Sequence, residues 1–393
     1  MVMKRGQNVK MFLSQPLAPE NDEDRFWNNL VNRIGNGQVI PIISNGMVYD
    51  LVFSKALGEE PAAESGADSD EGVSAREEPE IKVSVTNMLS MAWASETLYP
   101  LTESHDLSHV AQFVRSKSRS PIDAKEEFIT FLKNALLNYA SQAGVAQDRI
   151  EELRDSISEY SFADLAVQEL SLLKFGPGCT DPLSILASLP LPIYITTCYH
   201  DILERALSAV GKQPITQVCF WSGSIPQLKD EHKPLEAFEP SPQKPLVYHL
   251  YGLDRYPLTM VLSEDDYFDF LVEVTVDRGT TRSIIPAYLQ SALAVSWQML
   301  LGYRLPDWDF RTLFRGIIYS GEKKNAPFLN TIIQLSLSDQ YELPGGKDSR
   351  PYLEQAQKYL QDYFNPMSFE IRWSDPGGFL SSLQKEWRSR RQR

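Results

Sequence analysis

The chain has 393 residues and enough apolar side chains (42%) for a sizeable core, and it carries a formal net charge of −14. No apolar run reaches the roughly 18 to 20 residues needed to span a bilayer. The first residues show no secretory h-region or cleavage site. Cys179, Cys198 and Cys219 are scattered without CxxC spacing, which argues against a structural zinc or a disulfide framework and points to a reducing, cytoplasmic setting.

Much of the charge is local. Residues 58–80 hold nine acidic residues and one basic residue, Arg76, with almost no large apolar side chains. Such a stretch cannot bury enough surface to offset its ordering entropy, so 56–82 is expected to be a disordered acidic insertion. The basic end WRSRRQR reads as a solvated helix end, and there is no direct nucleic-acid signal.

In chain order, a first helix is expected over 22–34, with Asn21 as cap, Phe26, Leu30 and Ile34 as an apolar stripe and Gly35 as stop. QVIPIIS at 38–44 reads as a buried strand ending in the turn Ser44-Asn45-Gly46, after which the acidic insertion is placed. Residues 83–180 form a helical module, including a helix over 121–139 and another from Ser161 to the Gly176-Pro177-Gly178 stop.

Alternation then sets in. Strands are expected at 192–197, 218–221, 247–251 and 297–303, with helices at 200–210, 264–274, 286–295 and 309–318. Ser263 and Asp266 form a near capping box, and Asp307 or Asp309 caps the later helix. One more cycle follows: strand 330–337, helix 351–364, strand 368–373 and helix 378–390. The pattern predicts an α/β fold, a Rossmann-like doubly wound, largely parallel sheet with an inserted helical module and a C-terminal α/β extension. The main body is 1–55 with 181–325, and the extension is 326–393, in the same sheet or as an appended lobe.

Four pieces occur in order: VIPIISNG at 39–46, TTCYHDILERAL at 196–207, VYHLYG at 247–252 and LLGYRLPDWDFRTLF at 300–314. With VLSEDDY at 261–267, the set resembles the sirtuin-like domains of bacterial antiphage and conflict systems. That resemblance implies NAD or a related nucleotide as ligand, and a homo-oligomer or a partner defence subunit. It implies that Ser44, Asn45, Gly46, Thr196, Thr197, His249, Gly252 and Gly302 line the cofactor site. No metal is implied.

The chain departs from the family pattern at its catalytic positions. Where the family reads Thr-Thr-Asn-Tyr-Asp, Cys198 replaces the Asn and His200 the Asp. Where it reads His-Leu-His-Gly, Tyr251 replaces the second His. Only the last glycine of the Gly-Ala-Gly loop remains, as Gly46. A thiol lacks the carboxamide's paired donors and acceptor. A tyrosine is a poor base near neutrality.

Three readings follow: a nucleotide-binding protein with substituted catalytic positions, an active NAD glycohydrolase that depletes NAD, and a structural subunit with a vestigial pocket, plugged by Asn45 and Tyr251. A Cys-His nucleophile at Cys198 and His200 is a further option, although i and i+2 side chains at a corner need not converge. His105 and His109 sit at i and i+4 in an expected helix without an evident third ligand, and His232 reads as solvated.

Overall fold

The computed structural model describes residues 22–56, 84–222, 238–276, 284–304, 308–313, 331–335, 350–364 and 369–391. The acidic insertion, His232 and Asp307 lie outside them. Among the described residues, seven strands form one sheet: β1 (Val39–Ile43), β2 (Ile193–Thr196), β3 (Ile215–Val218), β4 (Leu246–His249), β5 (Trp297–Leu301), β6 (Thr331–Leu335) and β7 (Phe369–Trp373). Their order is β3-β4-β2-β1-β5-β6-β7, and every pairing is parallel. The α/β expectation therefore holds. The C-terminal extension joins the same sheet, because β6 pairs with β5 and β7 with β6.

β1 and β5 are buried along their whole length, as central parallel strands covered on both faces must be. α1 (Asp22–Gly35) buries Phe26, Trp27, Leu30, Val31 and Ile34 along one stripe. It packs against α13 (Pro376–Arg391), with Trp27 stacked on Phe379 at 5.8 Å between ring centroids.

The first departure from expectation comes directly after β1. Ser44-Asn45-Gly46 does not lead into the insertion but opens α2 (Asn45–Ala56). Ser44 is its cap, the hydroxyl accepting from the Met47 amide at 3.1 Å. Met47, Val48, Tyr49, Leu51, Val52, Phe53 and Ala56 are all buried. With Asp50 its only exposed residue, the helix has too narrow a polar stripe to produce a visible 3.6-residue alternation, so the pattern gave no helix signal.

Between α2 and β2 come α3 (Val85–Thr97), α4 (Leu107–Lys117), α5 (Pro121–Gln142) and α6 (Gln147–Asp155), then α7 (Pro182–Ser188). The helix expected over 161–174 is instead a wide π-helical turn, Asp164–Glu169. The Leu170 amide bonds back to the Leu165 carbonyl at 2.9 Å, and Ser171, at φ 53°, breaks the run. α8 (Ile202–Ala209), α9 (Glu264–Val276), α10 (Ala287–Val295), α11 (Trp308–Leu313) and α12 (Arg350–Phe364) complete the set.

The third strand lies three residues earlier than expected, at Ile215–Val218. Its polar Gln217 hid it from an apolar-run reading, yet Gln217 is buried and accepts from the Tyr288 hydroxyl. The Ser263–Asp266 box is present: the Ser263 amide donates to the Asp266 carboxylate at 3.0 Å, and the Asp266 amide to Ser263 Oγ at 3.4 Å. Asp309 lies within α11 rather than before it. No helix among the described residues is long and apolar enough to cross a membrane.

Candidate functional site

Chain order and sheet order diverge at β1. β2, β3 and β4 lie on one side of it and β5, β6 and β7 on the other. In such sheets the crevice outside the carboxyl ends of the strands, where the order reverses, is where ligands bind. Here that point is bounded by Ser44-Asn45-Gly46 after β1 and Gly302 after β5.

The two loops are stitched together. The Ser44 amide donates to the Leu301 carbonyl at 3.1 Å, continuing the ladder past the strand ends. Its hydroxyl donates to the Gly302 carbonyl at 2.6 Å. Gly302 has φ +74°, and a Cβ there would lie 2.6 Å from Met47 Cβ and 2.7 Å from Ser44 Oγ, so both conformation and space demand glycine. Gly46 is different: a Cβ would meet Gly302 O at 3.4 Å and Thr86 Oγ1 at 3.6 Å, ordinary contacts. Asn45 Oδ1 accepts from the Tyr199 amide at 3.3 Å, tying the end of β1 to the corner after β2.

At that corner the two threonines serve the backbone. Thr196 Oγ1 donates to the Ile43 carbonyl at 3.1 Å and accepts from the Cys198 amide at 2.9 Å. Thr197 Oγ1 lies 3.2 Å from the Tyr303 hydroxyl. Cys198 is buried, and burial pushes its thiol far above the ordinary range. A thiol held protonated is a weak nucleophile. Iodoacetamide at about pH 8 is therefore expected to label half-buried Cys179 in the native protein and to spare Cys198. Peptide mass spectrometry that found Cys198 labelled at a similar rate would show that the corner opens.

His200 does not face Cys198 as a base. Its Nδ1 is 2.9 Å from Asp254 Oδ2 and its Nε2 is 3.4 Å from the Tyr49 hydroxyl. Its ring stacks on Phe162 at 4.3 Å. Both nitrogens and one face are thus spent on structural contacts.

His249 is also fully enclosed. Its Nδ1–H donates to the Cys198 carbonyl at 2.9 Å, and its Nε2–H to Glu204 Oε1 at 2.8 Å. Burial alone would pull its pKa down, but the Glu204 carboxylate and the Cys198 carbonyl outweigh it and raise the pKa. Glu204 Oε1 also accepts from Thr216 Oγ1 at 2.8 Å. The ion pair thus ties β4 and β3 to α8.

Tyr251 is completely buried. Its hydroxyl lies 2.6 Å from Thr312 Oγ1, and its ring meets Tyr267 and Phe270 edge-on at 5.5 and 5.2 Å. Gly252 follows at φ +89°, with a Cβ position only 2.3 Å from the Thr259 carbonyl carbon and oxygen.

The predicted residues thus cluster at the carboxyl ends of β1, β2, β4 and β5. Cys198 and His249 meet through a main-chain carbonyl, and Ser44 meets Gly302. Cys198, His200 and Tyr251 do not form one constellation. Sequence reasoning missed Glu204, Asp254 and Tyr49. Glu204 alone left a signal, as a charged residue among Ile202, Leu203, Ala206 and Leu207 on the buried side of α8.

His105 precedes α4, whose cap is Asp106, so the i and i+4 pair does not share a helix. No group of three or more His, Cys, Asp or Glu suited to a metal occurs among the described residues. A cleft of about 720 Å³ opens in the helical segment between α3, α4 and α5, and none of the predicted site residues lines it.

A doubly wound parallel sheet with a glycine-containing β1–α2 junction at its switch point defines a Rossmann-like protein. Residues 192–357, from the start of β2 to the middle of α12, match the family model of the SIR2-like domain. The match covers less than half of the chain and begins after β1 and the helical segment. No curated protein matches the chain.

Proposed function

We propose that this chain is a SIR2-like protein that holds an NAD- or ADP-ribose-type nucleotide and does not cleave its glycosidic bond. The observation that carries the reading is the enclosure of Cys198, His200 and Tyr251, each engaged with its neighbours inside the fold. Cleavage needs a base or an orienting carboxamide within hydrogen-bond reach of the reacting ribose. None of the three offers one, because each is buried within the fold.

The outer rim supports binding. Asn45 and Gly46 at the start of α2 are only half-buried. Thr86 Oγ1, in the first turn of α3, is buried without a hydrogen bond and lies 3.6 Å from the Gly46 Cβ position. Arg304 reaches the same turn, with Nη1 on Ser84 Oγ and 3.0 Å from Asn87 Oδ1. Two helix starts beside a guanidinium favour an anionic group such as a pyrophosphate. A cytoplasmic setting, the place in an antiphage or conflict system and the partnership with like or unlike subunits are carried over from the reading of the sequence alone.

Isothermal titration of the protein with NAD and with ADP-ribose tests the binding half. The wild type is expected to bind, and Arg304→Ala to bind about tenfold more weakly, roughly 1.4 kcal/mol. Absence of binding to either nucleotide would favour the structural subunit with a plugged pocket.

A further inference from the structure

Polar side chains of α4 and α5 meet the sheet body at the first turn of α9, Glu264, Asp265 and Asp266. α4 presents three residues at three-residue spacing. His109 Nε2 lies 3.1 Å from Glu264 Oε1. Gln112 donates to Asp265 Oδ2 at 2.8 Å and accepts from the Asp265 amide at 3.2 Å. Arg115 donates to Asp266 Oδ1 at 3.1 Å and to Ser263 Oγ at 2.9 Å. From α5, buried Lys125 reaches the same Asp266 at 3.3 Å and donates to the Met260 carbonyl at 2.5 Å.

The same helix carries Tyr267 and Phe270, the two rings that press edge-on against Tyr251. Its outer side exposes Phe268 and Val272. α9 is therefore a surface helix, gripped at its N-terminus by the helical segment and resting on the family's catalytic position.

We propose that α4 and α5 act as an autoinhibitory clamp, holding α9 closed over Tyr251 so that displacement of the helical segment opens the inner end of the nucleotide site. The clamp rests on the reading that a nucleotide site lies at this end of the sheet, but its mechanics are tested without nucleotide. Asp266 is shared by two cations, so loss of Arg115 leaves Lys125 in place and loosens the grip without stranding a buried charge. Asp265 is half-exposed and 4.0 Å from Arg115, so a lysine there adds repulsion at the surface.

Hydrogen exchange read by mass spectrometry on Gln112→Ala/Arg115→Ala and, separately, on Asp265→Lys tests the clamp. Exchange in 264–276 and in 250–253 is expected to rise together by at least about tenfold, with α1 unchanged, the signature of local rather than global opening. Unchanged exchange in α9, a rise in α9 with 250–253 still protected, or a uniform rise across the chain in both variants would each overturn the proposal. If these exchange results hold while titration shows no nucleotide binding, the clamp stands and the nucleotide reading falls.

Discussion

Gly252→Ala is expected to destabilise the protein by about 3 kcal/mol or more. Two costs combine. A left-handed backbone costs a residue with a Cβ roughly 1–2 kcal/mol. The new methyl would also sit 2.3 Å from the Thr259 carbonyl carbon and oxygen, and relieving overpacking of that kind costs roughly 1–3 kcal/mol. The obstacle is backbone, held by the Leu253 amide bonding to Thr259 Oγ1 at 3.1 Å and by the Trp221 indole donating to the Thr259 carbonyl at 2.8 Å. It cannot rotate aside as a side chain would. Gly46→Ala is the internal control, because its Cβ meets only ordinary contacts. Urea unfolding should show a large drop in midpoint for Gly252→Ala and a small one for Gly46→Ala. Equal midpoints would mean that the turn after β4 is not built as described.

Glu204→Ala is expected to cost about 3–5 kcal/mol, because it leaves the enclosed His249 without the carboxylate that compensates its charge. The pair also sets a pH dependence. His249 has its pKa raised above the ordinary 6.5 in the folded state. Its contribution is then fully present below the unfolded value and is lost as pH rises through the raised folded value. The stability gap between wild type and Glu204→Gln should therefore be widest below about pH 6.5 and narrow as the solution becomes alkaline. Denaturant titrations across pH measure it directly. A gap that widened toward alkaline pH would mean that His249 is not the charged partner.

The alternation of short apolar strands with amphipathic helices made the sheet legible, because burial on both faces and on one stripe leave different periods in a sequence. It did so even for the extension, whose β6 and β7 were read before their place in the sheet was. What stayed hidden shares a physical cause. α2 is buried on most sides and has only a narrow polar stripe; β3 carries Gln217, whose side-chain oxygen accepts from Tyr288, a partner 71 residues away. The site was legible as a set of positions, since glycines and motif residues sit where strands end. Its chemistry was not. The partners that decide it, Glu204 for His249, Asp254 and Tyr49 for His200 and Thr312 for Tyr251, are distant in sequence and brought near by topology. Cys198 and His200, two residues apart, suggested a pair; the fold gives each its own enclosure.

The most direct test of the account is a proton NMR time course of NAD with the purified protein, following the nicotinamide signals. With Cys198, His200 and Tyr251 committed to the fold, the NAD signals are expected to broaden on binding and no free nicotinamide to appear. Free nicotinamide accumulating with the native protein, and absent from a heat-denatured control, would contradict it and show that these positions carry out cleavage.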